Sequence, residues 1–386
     1  MIPYIIVFIL LLIPVLKYRG NQLNRGNNYF IFEVILLILF MGLRYRVGGD
    51  SLRYELYHEY QPQLKDILNV NLFFGYDGFQ PFWNILVSSC KSISEEFWVV
   101  QLIQSAIINS VFCIYASKNC EHRFTFVLLY YVFNYPYYCT EIMRESIAVA
   151  VFMVGFNALI NKQYKWYIIT CVSAFMFHAS AILLFGLPFF YIILQKFKGT
   201  KGLLAALSII VVVLLSFDFL MEILLSTVFS GNSMLMSKSE EVANSTGLNI
   251  FGIMMQIVYL VPCFIAYKIY SKSEHYDQKK VFVIIMYMIV AFISTVYVPL
   301  TRLQNYFAIL FLVYFTDLLY LKYFKNSVVL ALAILVYAKI GYYNGSIINS
   351  SGQKMAHTHK KLYIPYSSIF DKTIDRERER VIQNQF

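Results

Sequence analysis

The chain has 386 residues, 59% of them hydrophobic and only 14% charged, with a mean hydropathy of +0.59. A soluble chain of this size carries roughly a quarter charged residues, so a soluble two-domain fold is excluded. The net charge of +10 does not point to nucleic acid, because the basic residues sit in short clusters between apolar runs and form no single stripe.

The first element, at 2–16, lacks a basic leader and a small-residue cleavage site, so it reads as a membrane helix and not as a removed signal peptide. Further apolar runs of spanning or near-spanning length follow at 29–43, 96–117, 124–139, 145–160, 165–178, 179–195, 202–220, 249–268, 281–299, 303–321 and 327–343. They predict an all-α, polytopic membrane helical bundle of about 12 transmembrane helices over 1–343, followed by a polar tail at 344–386. An aromatic share of 18% suits helices anchored at two interfaces. The segment 81–93 (PFWNILVSSCKSI) is too short to span and reads as a re-entrant or interfacial helix. The stretch 166–195 is either one long tilted helix or a hairpin folding at His178-Ala179-Ser180. In the tail, the mixed-charge run Asp371–Arg380 reads as a solvated helix.

Charge sets the expected topology. If 166–195 is a hairpin and 81–93 does not span, the lysine-rich clusters from Lys17 to Lys325 all fall on one side, which the positive-inside rule makes cytoplasmic. The segments 44–95 and 222–248 then lie outside, with both termini. The outer helix ends carry Arg44, Arg46, Arg144 and Arg302, against the usual bias. Planar guanidinium groups suit phosphate or diphosphate.

The richest outer segment runs from Gly42 to Pro62. Behind Arg44 and Arg46, Gly48-Gly49 permits a tight turn, and the spacing of Asp50, Tyr54 and Tyr57 places them on one helical face. The alternative is an interfacial turn with salt-bridged arginines. Arg144 stands between Glu141 and Glu145 in the first turn of a helix, where the dipole disfavours a cation; it is either a ligand for an anion or a charge neutralised by its neighbours. His178, between apolar runs, is a general-base candidate or a histidine donating to a backbone carbonyl at a helix break. Arg302 is a phosphate contact or a snorkelling anchor, and Lys339, Asp218 and Glu222 carry no signal beyond such anchoring. The six cysteines form no C-x-x-C pair and no Cys/His cluster, so no metal site, cofactor or disulfide framework is expected.

Five segments in order resemble the EpsG family of polysaccharide polymerases, which are Wzy-like: LRYRVGGDSLRYELY (Leu43–Tyr57), EIMRESIAVAVF (Glu141–Phe152), FMFHASAIL (Phe175–Leu183), TRLQNYF (Thr301–Phe307) and YIPYSSIFD (Tyr363–Asp371). One departure is Glu145, where that family usually has glutamine. The resemblance implies a GT-C-like glycosyltransferase in the bacterial cytoplasmic (inner) membrane, working on the outer face. Such a polymerase transfers a growing glycan from undecaprenyl diphosphate onto the next lipid-linked repeat unit. The implied partners are those lipid-linked glycans and membrane lipid, with a chain-length regulator and a flippase alongside. In that scheme Arg44, Arg46, Arg144 and Arg302 hold the donor diphosphate, Asp50 or His178 takes the proton of the attacking hydroxyl, and Tyr54 and Tyr57 contact sugars. Two rival readings are a lipid-linked glycan flippase and a single-sugar, polyprenyl-phosphate-dependent transferase.

Overall fold

The computed structural model describes residues 1–18, 26–67, 80–196, 208, 262–271, 277–294, 300–320, 346–348 and 354–383. The spans expected at 202–220 and 327–343, most of 249–268, the outer loop 222–248, and Lys339, Asp218 and Glu222 lie outside the described residues. Among the described residues the fold is helical apart from a short antiparallel pair, β1 (Ser346–Ile348) and β2 (Lys354–Thr358). The chain divides into two compact units. The first comprises Met1–Phe156, Ile169–Ile182 and Leu312–Phe386, and the second Asn157–Ile168 and Leu183–Phe311.

The first unit is built on α1 (Ile2–Lys17), α2 (Asn27–Gly42), α3 (Ser51–Tyr60), α4 (Pro81–Ile93), α5 (Trp98–Asn119), α6 (Arg123–Phe133), α7 (Tyr135–Thr140) and α8 (Met143–Ile160). Helices α5 and α8 are long and apolar enough to cross a membrane, and α1, α2 and α6 are shorter apolar helices. The outward faces of α1 and α2 carry exposed Ile5, Ile9 and Ile13, and Ile31, Ile35 and Leu39, at helical spacing. Water does not tolerate apolar stripes of that extent, whereas lipid does.

Helices α2 and α5 pack closely because Gly42 lies against Leu102, where a Cβ would come within 2.8 Å of a leucine methyl carbon. Polar groups inside this apolar packing are bonded across helices. Ser105 Oγ donates to the Ile38 carbonyl (3.0 Å), and Gln104 Nε2 donates to the Tyr138 carbonyl (3.1 Å) and Ser146 Oγ (2.8 Å). Asn27, at the start of α2, accepts from Arg123 (2.6 Å), while Arg44, just past the other end, reaches Cys139. The lysine-flanked end of α2 and the end carrying the arginine motif are thus a helix length apart, about 24 Å.

The run expected at 124–139 as one span is two helices, broken at Asn134. Pro136, near the start of α7, cannot donate the bond a continuous helix needs there. The segment 81–93 is the helix α4, which buries Trp83, Asn84, Val87, Ser88 and Cys90 and exposes Ile93. The stretch 166–195 is a hairpin. Helix α9 (Tyr164–Phe175) ends before His178, a 3-10 turn follows at Ala179–Gly186, and α10 is Leu187–Lys196. Tyr167 Oη of α9 donates to the Leu184 carbonyl in the 3-10 turn (2.8 Å), and Tyr191 Oη of α10 donates to the carbonyl of Ile160 at the end of α8 (3.3 Å).

In the second unit, α11 (Gln278–Ile293) begins where Asp277 caps it, accepting from the Lys279 and Lys280 amides. Phe282 packs edge-on against Tyr191 at 4.9 Å, and Tyr287 stacks on Phe311 at 4.8 Å, which joins α11 to α10 and to α12 (Thr301–Leu318).

The polar tail folds back onto the first unit. Its helix α13 (Arg376–Gln383) forms where the mixed charges lie, yet it is not solvated all round, because Arg378, Val381 and Ile382 are buried. Val381, Ile382, Leu362 and Tyr363 form an apolar cluster with Val47. The spacing of 378, 381 and 382 makes one buried helical face.

Candidate functional site

The loop between α2 and α3 cannot be regular. Arg46 has φ 49° and Gly48 φ 109°. A Cβ at Gly48 would lie 2.4 Å from Thr140 Cβ, and one at Gly49 would lie 2.5 Å from Glu141 Oε2. Both glycines are therefore set by close approach to the α7–α8 junction as well as by the turn. The Gly49 amide donates to Glu141 Oε1 at 2.6 Å, which draws the start of α3 against the start of α8.

A small cavity of ≈ 30 Å³ opens where α3, α4 and α8 meet; Asp50, Arg53, Tyr54, Tyr57, Trp83 and Arg144 line it. Asp50, Tyr54 and Tyr57 thus share a face, as their spacing predicts, and Arg144 joins them from α8. Arg144 Nη1 donates to Gln80 Oε1 (2.6 Å), and its guanidinium carbon lies 5.8 Å from the centre of the Tyr54 ring. Tyr54 is edge-on to Trp83 at 5.8 Å, and Tyr57 Oη donates to Asn84 Oδ1. Burial raises the Tyr54 phenol above its ordinary range, with Arg144 pulling the other way. At neutral pH it is therefore a hydroxyl donor and not a phenolate.

The other arginines are placed differently. Arg44, expected to bind substrate, does not line this cavity. Arg44 is fully buried, and it donates to the carbonyls of Val47 (3.2 Å), Met41 (2.5 Å) and Cys139 (2.8 Å). It ties the end of α2 to α7. Arg46 lies between Glu55 (2.7 Å) and Glu379 (2.8 Å), the salt-bridged alternative for this turn, and lines a separate shallow cavity with Glu55 and Glu96. Arg302 belongs to the second unit, exposed in the first turn of α12. His178 is half-buried at the break after α9, where Nδ1 lies 2.7 Å from Ser180 Oγ and accepts from the Ser180 amide at 3.3 Å. Its backbone contact is thus as an acceptor, and it does not line the cavity. Glu145 is buried in the first turn of α8.

Arg53, Trp83, Gln80 and Asn84 are the residues of this site that sequence reasoning passes over. Arg53 is three residues from Asp50, on the face already assigned to Tyr54 and Tyr57, so helical spacing alone was signal enough to include it. The other three come from α4 and the residue just before it, whose approach to α3 has no local signature.

Behind the cavity, His58 is buried against Phe97, with ring centres 5.6 Å apart. Burial, reinforced by the Lys91 ammonium, pushes its imidazole from 6.5 down to about 4. The unfolded chain then binds the additional proton, so stability present above pH 6.5 is lost as the pH falls toward about 4. Thermal unfolding of the purified protein followed across that window should show a steeper fall in the wild type than in His58→Gln. Equal falls would show that another group is responsible.

No curated protein and no solved structure matches the chain. A family model does, over residues 27–368. That span takes in the α2–α3 loop, the cavity and all but the last part of the tail, and the chain accordingly belongs to the EpsG family.

Proposed function

We propose that this protein is a glycosyltransferase that polymerises undecaprenyl-diphosphate-linked oligosaccharide repeat units into a surface polysaccharide, on the outer face of the bacterial cytoplasmic membrane. Membership of the EpsG family supports a membrane protein of polysaccharide synthesis, and the exposed apolar stripes of α1 and α2 agree with it. The observation that carries the reading is the convergence of two guanidinium groups, Arg53 and Arg144, on a cavity that also holds a carboxylate and three aromatic rings.

The chemistry needs few groups. A hydroxyl of the acceptor sugar attacks the anomeric carbon of the donor glycan. The bond from that carbon to the diphosphate oxygen breaks, and the electron pair leaves with the diphosphate. Arg144 and Arg53 stabilise the charge gathering on the leaving group. Asp50 accepts the hydroxyl proton; it faces the cavity, whereas the ring of His178 is engaged with Ser180. Tyr54 and Tyr57 contact the sugar rings. The guanidinium groups supply the positive charge that a metal supplies in other transferases, so the scheme is metal-independent and uses no cofactor. Arg302 is proposed to meet the anionic part of a lipid-linked substrate. The proposed architecture is a polytopic, GT-C-like bundle of about 12 spanning helices.

The test is a gene deletion, with gel analysis of lipid-linked and surface glycans. Loss of the long ladder, with single repeat units still reaching the surface, is the expected result. Complete units trapped inside would make the protein a flippase, and truncated units would make it a single-sugar transferase.

A further inference from the structure

The tail contacts the α2–α3 loop and Glu141, just ahead of α8, both of which lead into the cavity. Along one edge it pairs with the α2–α3 loop: the Tyr45 amide donates to the Ser367 carbonyl (2.9 Å), the Gly48 amide to that of Leu362 (2.9 Å), and the Ile369 amide to that of Leu43 (3.0 Å). Arg378 is 2% exposed and has turned its guanidinium onto backbone, donating to the carbonyls of Arg46 (2.9 Å), Lys361 (3.2 Å) and Pro365. Tyr363 Oη donates to Glu141 Oε1 (3.0 Å), the same oxygen that receives the Gly49 amide. Gly49 precedes Asp50, and Glu141 lies three residues before Arg144. Arg46, between Glu55 and Glu379, ties the side of α3 to α13 as well.

These contacts add to those that α3 makes with Trp83 and Asn84 of α4. Helix α3 has only ten residues, below the length at which an isolated helix is stable in water. The loop before it contains two glycines and no run of helical bonds. Asp50 and Arg53 hang on this short helix, while Arg144 stands on the long, packed α8. Their mutual placement depends on whatever holds α3 to the head of α8.

We propose that residues 359–383 are a positioning element of the reaction site, in which Tyr363 and Arg378 hold Asp50 and Arg53 in place opposite Arg144. The catalytic consequence rests on the reading of that cavity as the diphosphate site; the mechanical one does not. Neither residue touches the cavity, so each acts through Glu141 or the Arg46 carbonyl.

The test uses the full chain with a spin label on a cysteine introduced at Leu56, which is 53% exposed on α3. The six native cysteines are all buried, so the label goes to the introduced one. Tyr363→Phe and Arg378→Gln are each expected to raise the mobility of the label and to lower polymer output by about tenfold or more. Tyr363→Phe keeps the ring in its apolar cluster, so it carries the test if Arg378→Gln does not fold. In a parent that makes polymer, Tyr363→Phe with unchanged mobility, or with raised mobility and full polymer, overturns the proposal. In a parent that makes none, raised mobility sustains the positioning role and the reading of the cavity fails instead, while unchanged mobility removes both.

Discussion

Replacing Arg144 with alanine is expected to abolish the polymer ladder while the protein stays in the membrane at its normal level. Arg144 lines the cavity and is held by Gln80 and the Tyr54 ring, contacts at the rim of α8 and not in its packed face. Losing one preorganised donor to a developing anion costs roughly 10²–10³ in rate. Arg144→Lys keeps the charge but loses the planar fork, so it should retain a shortened ladder. Gel analysis of surface glycan beside an immunoblot of membranes separates the cases. A full-length ladder from Arg144→Ala would remove the residue from the mechanism.

Arg44→Ala should fail in the opposite way, by loss of folded protein. Its guanidinium satisfies the carbonyls of Met41, Val47 and Cys139 in a site without water access. Truncation leaves those acceptors buried and unbonded and opens a void between α2 and α7, on the order of 3 kcal/mol or more. Membrane level and the detergent-solubilised unfolding temperature should both fall. Any polymer lost should track the protein lost. Normal protein level with no polymer would return Arg44 to the substrate.

These two arginines mark where sequence reasoning stops. Both stand at helix ends and both invite a phosphate, and nothing local tells them apart. What separates them lies far along the chain: the Cys139 carbonyl for Arg44 is 95 residues away, and the Gln80 side-chain oxygen for Arg144 is 64 residues away. The short-range parts were readable. The i, i+4, i+7 spacing of Asp50, Tyr54 and Tyr57 needs only helical geometry, and α1, α2, α5 and α8 begin and end within a few residues of their apolar runs. The break at Asn134 was visible in Pro136 and was overridden by the apolar run around it. The tail deceived by composition, since five charged or polar residues hide one buried stripe. The wall supplied by α4 has no sequence signal, because which helix faces α3 is decided by packing.

The link between Arg378 and the Arg46 carbonyl joins residues 332 positions apart. At ribosomal speeds that is a delay of roughly 20 to 60 s, during which the loop, α3 and α8 all exist but the segment that holds them together does not. If the tail is the positioning element proposed above, Asp50 and Arg53 are fixed opposite Arg144 only among the last events of the protein's biogenesis. Premature stops between α8 and codon 359 should behave alike, because each removes the whole positioning segment.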